Sequence, residues 1–268
     1  MEVSALDAAN RGAMVIVTGA SSGIGQALAV RLGLLGYRVG LIARRREALR
    51  DVATTIAAAG GQAVAAVADV SDRSELRSAV DEIERSLGPT DVMVANAGFG
   101  VPTRLDPLNT VEVEQTIRVN LLGVIYSIEA VLPGMIARKR GQLLGISSLA
   151  AFKGMPGESA YCASKAAVSA YMEGLRIALR SKGVVVTTVC PGFVDTPMIP
   201  MDSVKPFLMS ADAAAGRIAR LVATRRGGVV RFPLPASLLM SLFARLPDAL
   251  VARLMQIEPI SERDVAAK

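Results

Sequence analysis

The sequence predicts an α/β fold, a doubly wound parallel β-sheet with helices on both faces, in a single domain over residues 1–268. Three observations carry this. From Met14 onward, short β-rich runs alternate with longer helical patterns, the signature of repeated βα units. Several of the short runs are apolar at successive positions, as strands covered on both faces are. Apolar residues make up 51% of the 268. That is enough to fill one substantial core, and no internal repeat or low-complexity stretch divides the chain.

The predicted strands are residues 14–18, 38–43, 62–68, 91–95, 142–147, 184–190 and 229–232. Between them the predicted helices are 23–35, 46–59, 73–87, 110–138, 160–182 and 211–224. In the fourth helix Ile117, Leu121, Val124, Ile128, Leu132 and Met135 recur every three or four residues, which places them on one apolar face. Pro133 is expected to kink that helix or end it, because proline has no backbone N–H to donate. Residues 232–268 form an apolar appendage: Pro233, Pro235, Pro247 and Pro259 break Leu- and Met-rich pieces, with Arg245 and Arg253 between them. These pieces are too interrupted to span a bilayer.

Composition excludes several kinds of chemistry. The chain has no histidine, which removes Ser-His-Asp and Cys-His nucleophiles, His-ligated zinc and imidazole acid/base chemistry, and no metal is expected. Proton transfer falls to Tyr, Lys, Asp, Glu or water. Both cysteines, Cys162 and Cys190, lie in apolar segments, so buried thiols in a reducing compartment are expected rather than a disulfide. Residues 1–12 contain no apolar run fit for a signal-peptide core, and a cytoplasmic location is expected. The net charge of +6 suits anionic ligands such as nucleotide phosphates. The basic residues are scattered and aromatics are few, which argues against nucleic acid as a partner.

After the first strand comes Thr18-Gly19-Ala20-Ser21-Ser22-Gly23-Ile24-Gly25, opening directly into a helical pattern. Small residues at such a turn let backbone N–H groups approach a pyrophosphate at a helix N-terminus. At the end of the second strand, where an acid would hold the ribose diol of NAD, stands Ala43, followed by Arg44, Arg45 and Arg46. Cations beside the positive end of a helix dipole are unfavourable unless an anion is present. Arg44, with Arg45 as helper, is therefore expected to meet a 2′-phosphate, which makes NADP(H) the expected cofactor.

Further along, Tyr161 and Lys165 lie four residues apart in a helical pattern, one turn apart on the same face. An unperturbed phenol has a pKa near ~10. A neighbouring ammonium that stabilises phenolate would make it an acid/base group usable near neutrality.

The turn from Thr18 to Gly25, Asn96-Ala97-Gly98 after the fourth strand, Asn120 in a long helix, Ser147-Ser148 after the fifth strand, Tyr161-x-x-x-Lys165, and Pro191-Gly192 after the sixth occur in that order. Together they resemble the motifs of the short-chain dehydrogenase/reductases, over Met14 to about Met198. The resemblance implies a Rossmann-type sandwich with the cofactor across the carboxyl ends of the strands. It implies that Tyr161 protonates a carbonyl oxygen, that Lys165 lowers the tyrosine's pKa and binds the nicotinamide ribose, and that Ser148, thirteen residues before Tyr161, binds the substrate oxygen. Asn120 would hold a water feeding a proton relay to Lys165. The cofactor contacts it implies are Gly19, Ser21, Ser22, Gly23, Ile24 and Gly25 at the turn, and Asp69 and Val70 at the adenine. Asn96, Ala97 and Gly98 would form the floor, and Pro191, Gly192, Val194 and Thr196 the nicotinamide end.

The expected function is NADP(H)-linked hydride transfer to a small or lipophilic carbonyl, or from the corresponding alcohol. A regulatory NADPH-binding protein is the alternative that an intact Ser148, Tyr161, Lys165 and Asn120 set argues against. Candidate pocket positions are Phe99, Val101, Leu149, Met155, Phe193, Met198 and the loop through Met209, residues 193–210. A homodimer or homotetramer is expected through the helices at 110–138 and 160–182, again from the resemblance. The appendage is expected to cover the pocket or pack on another subunit. The alternative is a membrane surface, with Arg225, Arg226, Arg231, Arg245 and Arg253 near anionic lipid.

Overall fold

The computed structural model of the chain describes residues 12–198 and 205–255. β1 (Met14–Thr18) reads Met-Val-Ile-Val-Thr and is buried along its whole length, as its β-branched residues favour. It leads into α1 (Gly23–Leu34), β2 (Arg38–Ala43), α2 (Arg46–Ala58), β3 (Gln62–Val67), α3 (Arg73–Leu87) and β4 (Val92–Ala95). There follow α4 (Thr110–Ile117), α5 (Gly123–Ala137), β5 (Gly141–Ile146), α6 (Ser159–Ala178) and β6 (Val184–Pro191). After two-residue strands β7 (Val194–Asp195) and β8 (Met209–Ser210) come α7 (Ala211–Ala223), β9 (Gly228–Phe232), α8 (Leu234–Phe243) and α9 (Asp248–Leu254). All seven predicted strands form, each end within one residue of its expected place.

The seven-stranded sheet has the order β3-β2-β1-β4-β5-β6-β9, and every pairing in it is parallel. Strand order reverses between β1 and β4, and a crevice at that point is where ligands bind in open parallel sheets. Leu28, Leu32, Leu49, Ile56, Ile218 and Val222 bring α1, α2 and α7 onto one face. Leu76, Val80, Ile83, Val124, Ile128, Met135, Val168 and Met172 bring α3, α5 and α6 onto the other.

The fourth predicted helix departs from uniform α geometry. A π-helical segment, Arg118–Leu122, separates α4 from α5, and such inserts often mark functional positions; Asn120 lies within it. Pro133 does not end the helix, since α5 runs through it to Ala137. By length and composition Thr110–Ala137 could cross a membrane, but half of its most apolar window is buried in the protein, as in a core helix.

β7 and β8 pair in parallel and tie together the two ends of the expected substrate loop. Its residues 199–204 lie outside the described residues. So do 1–11 and 256–268, the latter carrying the far end of the appendage and Pro259.

Gly40 of β2 faces Ile83, so closely that a Cβ there would stand 2.6 Å from Ile83 Cγ2. With Ile83 fully buried, Ile83→Ala is expected to lower the unfolding free energy by about 2–5 kcal/mol in urea denaturation. A loss below about 1 kcal/mol would contradict this packing.

Candidate active site

The Gly-rich turn is fixed by contacts made within the protein. Thr18 Oγ1 accepts hydrogen bonds from the backbone N–H groups of Asn96 (3.0 Å) and Ala97 (3.1 Å), and Asn96 Nδ2 donates to Thr18 O at 2.9 Å. Asn96 thus clasps β4 to β1. A Cβ at Gly25 would meet Gly19 O at 2.3 Å, and Gly23, at φ +56°, packs on Thr196. No side chain caps α1 at Ser22. First-turn amides of a helix are donors in need of a partner, and the dipole favours an anion there. The cradle therefore fits a pyrophosphate.

A single cleft at the strand reversal is lined by Gly19, Ser21, Ser22, Gly23, Ile24 and Gly25, by Arg44, Arg45, Asp69 and Val70, and by Asn96, Ala97 and Gly98. Ser148, Tyr161, Lys165, Pro191, Gly192, Val194 and Thr196 complete this set. Every expected cofactor position is thus brought together. Of the expected pocket residues, Phe99 and Met198 also line it, whereas Val101, Leu149, Met155 and Phe193 do not. Leu149 instead faces Gly192 beside Pro233 and Ala236. The sequence reading missed Ala68, Val119 and Ile146, which also line the cleft.

Arg44 and Arg45 both line the cleft but make different contacts. Arg45 Nη2 donates to Ser21 Oγ and Ser21 O, both at 3.1 Å, and so lies across the turn. Arg44 Nη1 stands 3.6 Å from Asp69 Oδ2. That leaves Arg45, expected only to assist, as the guanidinium fixed beside the phosphate cradle.

At the opposite end of the cleft, Ser148 caps a 3-10 turn, Leu149–Phe152, its Oγ accepting from Ala150 N at 3.1 Å. Its hydroxyl also lies beside the Tyr161 phenol. Burial pushes that phenol up to about 12, and the Ser148 hydroxyl opposes the rise. The tyrosine is consequently a neutral O–H donor at physiological pH. Burial outweighs the lowering of its pKa expected from Lys165. The Lys165 ammonium is 5.7 Å from the ring centroid and donates instead to Ile146 O at 2.9 Å, so burial dominates. Lys165 is itself 3% exposed, and burial brings it down to about 8.

Ser147 also lines the cleft, and its Oγ donates to Lys165 O and meets Ser169 Oγ, each at 2.8 Å. Asn120 does not line the cleft. It is fully buried behind it, with Oδ1 accepting from Phe99 N (2.7 Å) and Nδ2 donating to Phe99 O (2.8 Å) and Ser164 Oγ (2.9 Å). Ser164 Oγ in turn donates to Tyr161 O at 2.7 Å. Ser164 was also missed, and its only signal was its place directly before Lys165. Among the described residues no cluster of carboxylates and thiols could hold a metal ion.

A fold and cleft of this kind define a nucleotide-binding oxidoreductase, and comparison with known proteins agrees. The sequence model of the short chain dehydrogenase family matches residues 13–204; the chain belongs to that family. It is 38% identical over 219 residues to an uncharacterized oxidoreductase of Myxococcus xanthus, covering 81% of this chain and 86% of that one. A 3-ketoacyl-ACP reductase from Sinorhizobium meliloti is 33% identical, with a TM-score of 0.77 over 84% of this chain and 99% of its own. An actinorhodin polyketide ketoreductase solved with NADPH is 29% identical, with a TM-score of 0.76 over 82% of this chain and 95% of its own.

Lys165 gives the site a pH signature. Its pKa is lowered in the folded protein, to about 8 from 10.5, so between those values the unfolded chain binds more protons and folding stability rises with pH. The cost of the buried ammonium is fully present below about pH 8. The stability of the wild type relative to Lys165→Met is expected to climb between pH 8 and 10 by up to about 1.4 kcal/mol per pH unit, measured by urea denaturation. A difference that stays flat across that range would contradict the buried ammonium.

Proposed function

We propose that the protein is an NADP(H)-dependent reductase of lipophilic carbonyl compounds, or a dehydrogenase of the matching secondary alcohols. The observation that carries this is one cleft with Arg45 beside a phosphate cradle at one end and the Ser148–Tyr161 hydroxyl pair beside Lys165 at the other. When bound, a nicotinamide dinucleotide would supply the hydride for the carbonyl carbon. Tyr161 O–H donates its proton to the carbonyl oxygen, which Ser148 holds in line. The resulting phenolate is met by the Lys165 ammonium. Asn120 Oδ1 retains a lone pair beside Gly98, where Lys165 Nζ also approaches. A water held there would return the proton.

The apolar Phe99 and Met198 at the lining, and the likeness to a polyketide ketoreductase and a 3-ketoacyl-ACP reductase, support a 3-oxoacyl-like or otherwise lipophilic substrate. A cytoplasmic enzyme assembled as a dimer or tetramer completes the proposal. A groove containing Ile125, Leu132, Ile136 and Tyr171 on the outer side of α5 and α6 is the face for subunit pairing.

The test is NADPH oxidation in the presence of a panel of ketosteroids, 3-oxoacyl thioesters, sugars and aromatic aldehydes. Turnover of at least one lipophilic member is expected; none with any carbonyl would contradict the enzyme reading. Ala43 presents no carboxylate to a ribose diol, and Arg45 and Arg44 offer charge-assisted hydrogen bonds to a 2′-phosphate. Calorimetry is therefore expected to show NADPH binding at least about tenfold tighter than NADH, a difference of ~1.4 kcal/mol. Arg45→Ala should remove more of that preference than Arg44→Ala. Equal affinity for the two dinucleotides would overturn the cofactor assignment.

A further inference from the structure

The appendage presents an apolar surface that nothing in the described chain covers. On α8, Leu234, Leu238, Leu239 and Leu242 are 66, 59, 52 and 63% exposed. Leu234, Leu238 and Leu242 are spaced four apart and share one face, and Arg245 follows in the turn after the helix. On α9, Leu250 and Leu254 are likewise four apart and exposed, with Arg253 between them and Met255 beyond. The opposite sides of these helices are seated on the protein through Ser237 and Val251, which are buried. Solvated surfaces of single chains seldom gather so many large apolar side chains in one place.

The seat adjoins the cleft. Lys153 Nζ donates to Leu246 O (3.1 Å) and Asp248 Oδ1 (3.0 Å), tying the α8–α9 connection to the chain just after the 3-10 turn that Ser148 caps. Arg231 stacks over Phe152 of that turn at 4.7 Å. A Cβ on Gly192, in the cleft wall, would touch Pro233, Leu149 and Ala236 at 3.3 to 3.5 Å.

Charge identifies the occupant. Between residues 232 and 255 the only acid is Asp248, already paired with Lys153. Arg245 and Arg253 are exposed and form no ion pair among the described residues. An anionic lipid surface supplies both what the leucines need and what the arginines need. At ten residues, α8 is about 15 Å long and cannot cross a bilayer core of about 30 Å, so it would lie in the interface plane. Arg225 and Arg226, which precede β9, are at the other end of the sheet: Arg225 donates to Gly141 O, and Arg226 O accepts from Thr187. They take no part.

We propose that the Leu234–Leu254 face docks the protein onto anionic membrane surfaces. If the carbonyl-reductase reading also holds, this sets the cleft beside the lipid phase from which its substrates come.

The test is co-sedimentation of the full chain with vesicles of phosphatidylcholine alone or mixed with phosphatidylglycerol. Binding is expected to the mixed vesicles, weakening as salt rises. Leu238→Glu/Leu242→Glu is expected to lower partitioning at least about tenfold, while NADPH oxidation with a water-soluble carbonyl stays within about twofold. Arg245→Gln/Arg253→Gln, which leaves the apolar seat intact, is expected to lower it severalfold and to flatten the salt dependence. Failure to bind phosphatidylglycerol vesicles, or binding that neither variant weakens, overturns the proposal. So does the absence of vesicle binding together with a smaller oligomer on sizing the leucine variant, which assigns the face to a second copy. Activity on the soluble carbonyl is read separately, so loss of membrane binding and loss of the enzymatic reading are distinguishable.

Discussion

Where the sheet reverses direction, β1 and β4 leave their common edge on opposite sides, and the chain must hold that seam closed while leaving a crevice above it. The Thr18–Asn96 clasp does this with a hydroxyl accepting two backbone N–H bonds and an amide donating back to a carbonyl. Each such bond is worth about 1 kcal/mol net, but leaving its buried partners unmade would cost more. On one side of the clasp the chain turns through Gly19 to Gly25 into α1. On the other, Gly98 carries it to Phe99 and so to Asn120. The phosphate cradle and the catalytic end are thereby positioned from one seam.

Burial sets the electrostatics of the Tyr161 and Lys165 end of the cleft. Tyr161 and Lys165 are moved in opposite directions by the same cause, since removal from water disfavours phenolate and ammonium alike. A phenol at about 12 beside an amine at about 8 keeps the proton on the tyrosine, where reduction of a carbonyl needs it. In the proposed reaction, once that proton is given up, the phenolate is a new anion in a poorly solvated place. The nearby ammonium is then the group whose charge offsets it.

The fold was legible because its signals are local. Seven β-rich runs, their spacing, and turn residues at fixed offsets from strand ends are all one-dimensional features, and the strands fall within a residue of expectation. The cleft was legible for the same reason: its lining residues follow strand ends in a parallel sheet. What sequence could not settle depended on side-chain direction. Arg44 and Arg45 are adjacent, and only the rotation of the backbone into α2 decides that Arg45 reaches Ser21 while Arg44 turns to Asp69. The pKa of Tyr161 depends on depth and on where the Lys165 hydrogen bond goes, neither of which its four-residue spacing reports. Ser164 became visible only as the partner of a buried amide. The appendage read as broken apolar pieces because its prolines sit at helix starts: Pro233 and Pro247 immediately precede α8 and α9, where a missing N–H costs nothing.

The central claim is that Tyr161 is the proton donor in a hydride transfer carried out within this cleft. It is tested most directly by comparing kcat and NADPH affinity of the wild type and Tyr161→Phe on the same carbonyl. The account predicts a fall in kcat of about 10²–10⁴-fold, the usual worth of a placed acid, with NADPH affinity nearly unchanged because the ring still fills its place. A variant that keeps kcat within about tenfold of the wild type would contradict it.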